Sequence, residues 1–183
     1  MECTLACLPI PHFVMLPACT ATLHFGVPEL LRQVELAGQS HGLACLVEAR
    51  HYQSGQALTG CLVQISRVVR LATGWNVSFR GLQRLTLLYE LQTDRGPLVY
   101  CRQLPELPWL SGESPAFPEL PEHLQPFRER LGAAAWLDIA ALHLPITIEL
   151  RQALLGEPDP NRRAQLLREA SPLPQNAPNW YPN

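Results

Sequence analysis

From Gly60 to Leu91 the apolar residues recur at every second position, over three consecutive stretches punctuated by glycines. Cys61, Val63, Ile65, Val69 and Leu71 share one parity. Trp75, Val77 and Phe79 continue it, and Leu85, Leu87, Tyr89 and Leu91 take it up again. A period of two sustained over this length admits few folds, because alternate side chains of a strand point to opposite faces. It predicts an antiparallel meander with one buried face, its first two strands joined by a tight turn at Ala72–Gly74. Gly81 then precedes a third strand. Arg67 interrupts the apolar parity, which predicts a bulge or a barrel rim at that point. Arg80, Arg84, Thr86 and Glu90 fall on the opposite, solvated face.

Around this block the chain divides into two regimes. Leu5–Ile10, Phe13–Leu16 and Thr20–Phe25 read as short strands or edge segments broken by prolines. Pro28 opens a helix over PELLRQVELAG, because a residue without an N–H suits the first helical turn, and Gly38 closes it. His41–Val47 is an apolar run of strand length, hence a buried strand, and Glu48–Leu58 reads as a loop. Residues 97–104 give one more strand. The proline-rich stretch 105–121 carries no regular element. Beyond it the period changes from 2 to 3.6. Leu120, Leu124, Phe127, Leu131, Ala134, Ala135, Ile139 and Leu142 fit one helical stripe that Pro145 ends. Thr147 is a candidate cap for a second helix, and Asp159–Pro160 starts a third. The expected organisation is a strand-built unit over 1–108, a helical subdomain packed on it over 109–171 and an extended tail over 172–183. The fold class is α+β. Trp109, Phe117, Trp180 and Tyr181 lie in irregular segments, where aromatics staple substructures or anchor interfaces.

The chain contains 14 basic residues, all arginine. Without lysine there is no Walker lysine for nucleotide phosphates, no Ser–Lys dyad and no Schiff-base chemistry. The net charge of −2 gives no general attraction to nucleic acid. The N-terminus lacks a basic n-region and is interrupted by Pro9, Pro11 and His12, so it does not read as a signal peptide, and no apolar run is long enough to span a bilayer. These features predict a cytoplasmic chain with its six cysteines reduced. Cys3, Cys7 and His12 lack the paired spacing of a zinc knuckle, and Cys45, Cys61 and Cys101 sit in apolar strand patterns. The three aspartates, Asp94, Asp138 and Asp159, form no catalytic motif. No cofactor, metal or catalytic residue is expected.

The 60–87 block, GCLVQISRVVRLATGWNVSFRGLQRLTL, resembles a pattern of Lon protease N-terminal domains, G-x-x-x-x-I-x-x-V-x-x-L-x-x-G-x-x-x-x-x-x-G-x-x-R. It supplies Gly60, Ile65, Val68, Leu71, Gly74, Gly81 and Arg84 in order. Two further pieces are similar to the same family: LPI at 8–10 with VMLPACTATLHF at 14–25 and Pro28, and LPITIELRQALLGEPDPNRRAQLL at 144–167. The chain departs from it at Ala18, where the family has glycine, and at Val27–Pro28–Glu29–Leu30, where the family has E-P-R-Y. The resemblance spans residues from about 5 to 170. It implies a PUA-like antiparallel β-barrel followed by a small helical bundle, in a domain that helps Lon select protein substrates. No ATPase or protease segment follows in this sequence. The expectation is therefore a non-catalytic module for unfolded or partner polypeptide, without membrane contact.

Such a module needs an apolar floor with a polar group. The strand-to-helix corner offers His24, Phe25, Leu30 and Leu31, in a groove shared with the helical segment. His24 could equally bond to backbone and only brace the corner. The alternative is RNA binding, a role of PUA-like barrels in other families. It would use an outer-face patch of Arg80 and Arg84 with Arg67, Arg70 and Arg102.

Overall fold

The computed structural model describes residues 2–53, 59–113, 115–117 and 120–170. Its strands are β1 (Glu2–Ile10), β2 (Thr20–Phe25), β3 (Leu43–Glu48), β4 (Thr59–Leu71), β5 (Gly74–Thr93) and β6 (Gly96–Gln103). Helix α1 (Pro28–Gln39) follows β2, and the short α2 (Ala49–Gln53) follows β3. A 3₁₀ turn at Glu122–Leu124 leads into α3 (Gln125–Arg130), α4 (Ala133–His143), α5 (Ile148–Gly156) and α6 (Pro160–Ala170). The expected tail, with Trp180 and Tyr181, lies outside the described residues, as does the 54–58 part of the expected loop.

The six strands form one sheet in the order β2-β5-β4-β3-β1-β6, and β6 also pairs with β5. Hydrogen-bonded neighbours therefore run β1–β3–β4–β5–β6 and back to β1, with β2 added on the first half of β5. The ladders are antiparallel except β1–β3, which is parallel. This corrects the all-antiparallel expectation: β1 and β3 are joined through β2 and α1, a crossover long enough to bring β3 alongside in the same direction.

Two apolar cores result. Leu5 and Cys7 of β1, Cys45 and Val47 of β3, Leu62 of β4, Leu85 and Leu87 of β5, and Val99 and Cys101 of β6 form the smaller one. The opposite parity of the same strands (Ala6, Leu8, Ile10, Ala44, Leu46, Cys61, Val63) joins a larger core. Val34 and Ala37 of α1 and Trp136, Leu137, Leu154, Leu155 and Leu167 of the C-terminal helices complete it. Burial on both faces explains why β1 and β3 read as continuous apolar runs rather than alternating ones.

The expected second and third strands of the 60–92 block are a single 20-residue strand, β5. Gly81 is a crossing point, not a turn. A Cβ built on it would lie 2.2 Å from the Leu16 carbonyl oxygen, so only glycine lets the 16–19 segment lie against β5 there. That segment is held by Ala18 N–H donating to the Gly81 carbonyl (3.1 Å) and Gly81 N–H donating to the Cys19 carbonyl (2.9 Å). The β4–β5 ladder shifts register at Leu62/Val63 and again at Ile65/Arg67, the second being the bulge that Arg67 predicts. The β5–β6 ladder shifts at Leu87/Tyr89. An extra residue in one strand inverts which parity faces the core. Trp75, Val77 and Phe79 accordingly face the large core, and Leu85 and Leu87 the small one. Past the last shift Tyr89 and Leu91 are exposed, with Tyr89 stacked on Tyr100 (centroids 4.8 Å apart).

Other boundaries differ for local reasons. Val14, Met15 and Leu16 are buried but in a loop, not a strand. His41 and Gly42 take left-handed φ values of 57° and 73° and make a turn, so β3 begins at Leu43. Gly38 lies within α1, which runs to Gln39. Part of the expected loop after Glu48 is α2. The single stripe expected over 120–142 is broken at Leu131 and Gly132, whose extended backbone separates α3 from α4 and leaves Phe127 exposed. Thr147 caps α5 as expected, its side chain accepting from Leu150 N–H at 3.2 Å. Asp159 Oδ1 accepts from Asn161 N–H at 2.8 Å at the start of α6.

Candidate functional site

The strand-to-helix corner is built by β2 running antiparallel to the start of β5. Its register sets Leu23 opposite Val77, His24 opposite Asn76 and Phe25 opposite Trp75, while β4 sets Val68 opposite Val77 and Arg70 opposite Trp75. Cross-strand partners share a face. One face of the corner therefore carries Leu23, Phe25, Trp75, Val77, Val68 and Arg70.

Within it the four expected residues separate. Phe25 is 2% exposed and meets the Phe79 ring edge-on at 5.8 Å, so it is a core residue and no floor for a ligand. Leu30 and Leu31 are half-buried in the first turn of α1, packed against the large core. His24 is exposed on the other face, its Nδ1 2.9 Å from Asn76 Oδ1. It bonds to a neighbouring side chain, not to backbone.

Sequence reasoning passed over the apolar rim beside them. Val27 is 51% and Val68 41% exposed, and Trp75 is half-buried with the Arg70 guanidinium 4.7 Å above its ring. The signal for Val68 was present: a bulge at Arg67 must move the following residues to the other face.

The groove expected between this corner and the helical segment is not how the elements pack. Helix α1 lies on β1, β3 and β6, whereas α5 lies on β4 and β5. The seam between sheet and C-terminal helices opens instead at the Gly81 crossing, as a cleft of about 290 Å³ lined by Pro17, Ala18, Arg80, Leu82, Glu106 and Ala135 among others. A second cleft, about 260 Å³, lies between α1 and the β5–β6 turn. Both fall below the roughly 300–1,000 Å³ of ordinary small-molecule pockets.

Beneath the seam lies a charge cluster. Arg84 is 4%, Asp138 2% and Arg163 0% exposed. Arg84 donates to Asp138 and, at 3.1 Å, to Glu106, and Arg163 donates to Glu106 at 2.6 Å and to the Glu157 carbonyl at 3.0 Å. Burial pushes the Asp138 carboxyl above its ordinary range, against the pull of Arg84 and Arg163. Two arginines and two carboxylates balance, and the cluster ties β5, the linker and helices α4 and α6 together.

Arg84 therefore does not stand beside Arg80 on a solvated face. The shift at Leu62/Val63 carries it to the helix side, opposite Cys61, while Arg80 stays exposed opposite Gln64 and Thr20. Arg70 is on Trp75, and Arg102 is paired with Glu2 (2.7 Å). The patch loses Arg84 to the interior, while Arg67 and Arg80 stay exposed.

Five of the six thiols are buried and held protonated. Burial pushes Cys7, Cys61 and Cys101 up to about 12, and Cys19 and Cys45 well above their usual value. Among the described residues no group of three or more histidines, cysteines or carboxylates is placed to hold a metal, and no helix is long and apolar enough to cross a membrane.

No protein-family model and no curated protein matches the chain. Solved structures do. A Lon N-terminal domain protein from Xanthomonas campestris superposes with a TM-score of 0.68 at 25% identity, covering 93% of this chain and 99% of that one. The N-terminal domain of a Mycobacterium avium complex Lon protease superposes with a TM-score of 0.70 at 15% identity, covering 91% and 96%. The three sequence pieces, the six-stranded sheet with its C-terminal helices and these end-to-end superpositions agree: the chain is a Lon N-terminal-like domain.

Proposed function

We propose that the chain is a non-catalytic module, acting in the cytoplasm, that holds a segment of unfolded or partner polypeptide at the β2–α1 corner. The carrying observation is the apolar rim there. Val27, at the start of α1, and Val68, in the cross-strand row Leu23–Val77–Val68, are exposed, and Leu23, Leu30, Leu31 and Trp75 are half-buried. Such a surface suits extended apolar side chains, and Arg70 over Trp75 and His24 with Asn76 supply polar edges. Burial of Cys7, Cys19, Cys45, Cys61 and Cys101, which keeps those thiols protonated, supports binding over catalysis. Likeness to two Lon N-terminal domains supports the same reading, and the ring of strand pairings supports a PUA-like barrel as its scaffold.

RNA binding is the weaker alternative, because its patch loses Arg84 to the interior and Arg102 to an ion pair. Hydrogen exchange with and without an unfolded client protein separates the two. Protection over residues 23–31 and 66–77 is expected. Protection centred on Arg67 and Arg80 by RNA, lost steeply with added salt, would favour the alternative.

A further inference from the structure

We infer that Cys3 and Cys101 are a modification site: a thiol pair that closes, under peroxide, into a reversible cross-strand disulfide between β1 and β6. The two residues are direct partners in an antiparallel ladder, and their sulfurs lie 3.8 Å apart. Directly opposed residues in such a ladder have Cα atoms roughly 4.5–5.5 Å apart, inside the roughly 4.4–6.8 Å that a disulfide spans. The sulfurs need only side-chain rotation to meet. Register at this end is clamped by Glu2, which accepts from Tyr100 OH at 2.5 Å and from Arg102 Nε at 2.7 Å.

The two thiols differ in access. Cys3 is half-exposed and Cys101 buried, donating to the Cys3 carbonyl at 3.5 Å. Cys3 is the sulfur an oxidant reaches, and Cys101 is the partner held against it. The Cys3 sulfur attacks hydrogen peroxide: an S–O bond forms, the O–O bond breaks, and one water leaves with the thiol proton. The Cys101 sulfur then attacks the sulfenic sulfur. An S–S bond forms, the S–O bond breaks, and the oxygen leaves as a second water with the Cys101 proton. Two thiols lose two electrons to the peroxide. Cys7 and Cys45 lie deeper in the same core and are fully buried. Cys3 is only partly buried, so thiol reductants reach the bond and should reopen it. Closure would link residues 98 positions apart and constrain the unfolded chain.

The test treats the full chain with hydrogen peroxide, blocks remaining thiols, and maps peptides by mass spectrometry without reduction. The expected product is monomeric, has lost two of its six thiols and carries a Cys3–Cys101 peptide. It melts at a higher temperature than the reduced chain, and dithiothreitol reverses both changes. Cys3→Ser should leave Cys101 as a free thiol and abolish the shift in Tm. Retention of all thiols, a link to another cysteine, a Cys3-linked dimer or a sulfinic acid at Cys3 would each overturn the inference. The unmodified chain alone decides these outcomes if the variant does not fold.

Discussion

The two halves of β5 obey opposite rules. Before Gly81, odd-numbered side chains enter the large core and Arg80 stands in water. Beyond it, odd-numbered Leu85 and Leu87 enter the small core, and Arg84 is carried beneath the helices onto Asp138. One unpaired residue in the β4–β5 ladder accounts for the inversion. The first half thereby presents a rim and a free arginine, and the second builds the attachment of the helical segment. Two arginines four residues apart, alike in sequence, are assigned to surface and to skeleton by a register shift alone.

The largest test of this contrast removes what the second half attaches. Truncation after Pro108 would strip Trp136, Leu137, Leu154, Leu155 and Leu167 from the large core, each worth roughly 1.5–3 kcal/mol when buried. The truncated chain should aggregate or melt far below the full chain. Melting at the same temperature, followed by circular dichroism, would show that the sheet does not depend on the helices.

Next in size is the arginine contrast itself. Asp138→Ala leaves Arg84 and Arg163 buried without their shared carboxylate and should cost about 3–5 kcal/mol in a urea titration. Arg80→Ala should stay within about 0.5 kcal/mol of the parent. Equal effects would mean that the two halves of β5 are not distinguished as described.

How far the residues themselves foretold this is instructive. The alternation of 60–92, the bulge at Arg67, the Thr147 cap and the Asp159–Pro160 start were legible because each is a local signal with a local cause. The side of Arg84 was not. Alternation is counted from a neighbour, and a bulge opposite Leu62 resets the count without any charged residue to mark it. Phe25 was misplaced for a related reason: a strand-end aromatic looks like a floor until its partner Phe79 is known. The break at Gly132 was hidden because the apolar spacing continues across it. At the corner, Leu30 and Leu31 are half-buried, and the exposure of Val68 was readable only through the β5–β4 register.

A smaller effect concerns pH. Burial pushes the Glu48 carboxyl up, but the backbone N–H groups of His51 and His12 and the His51 ring pull harder, so its pKa lies below the ordinary value. The stability it supplies is fully present above the unfolded glutamate pKa and is lost as pH falls through the lowered folded value. Glu48→Gln should flatten that acid limb of the stability curve, and an unchanged acid limb would count against the role assigned to Glu48.

The smallest effect lies at the crossing between the halves. Ala18 holds a left-handed φ of 61° where the resembled pattern has glycine. Relief of that conformation, offset by glycine's added chain entropy, should make Ala18→Gly more stable by about 0.5–1 kcal/mol. A loss of stability in the same urea titration would mean that the backbone there is not strained.

The most direct test of the central claim is a fluorescence anisotropy titration of a labelled, permanently unfolded protein with the full chain and with Val27→Ser/Val68→Ser, both exposed. The account predicts saturable binding by the parent, little dependence on salt, and at least a tenfold loss in the variant (about 1.4 kcal/mol) at a nearly unchanged Tm. No saturable binding by the parent, or equal binding by parent and variant, would contradict it.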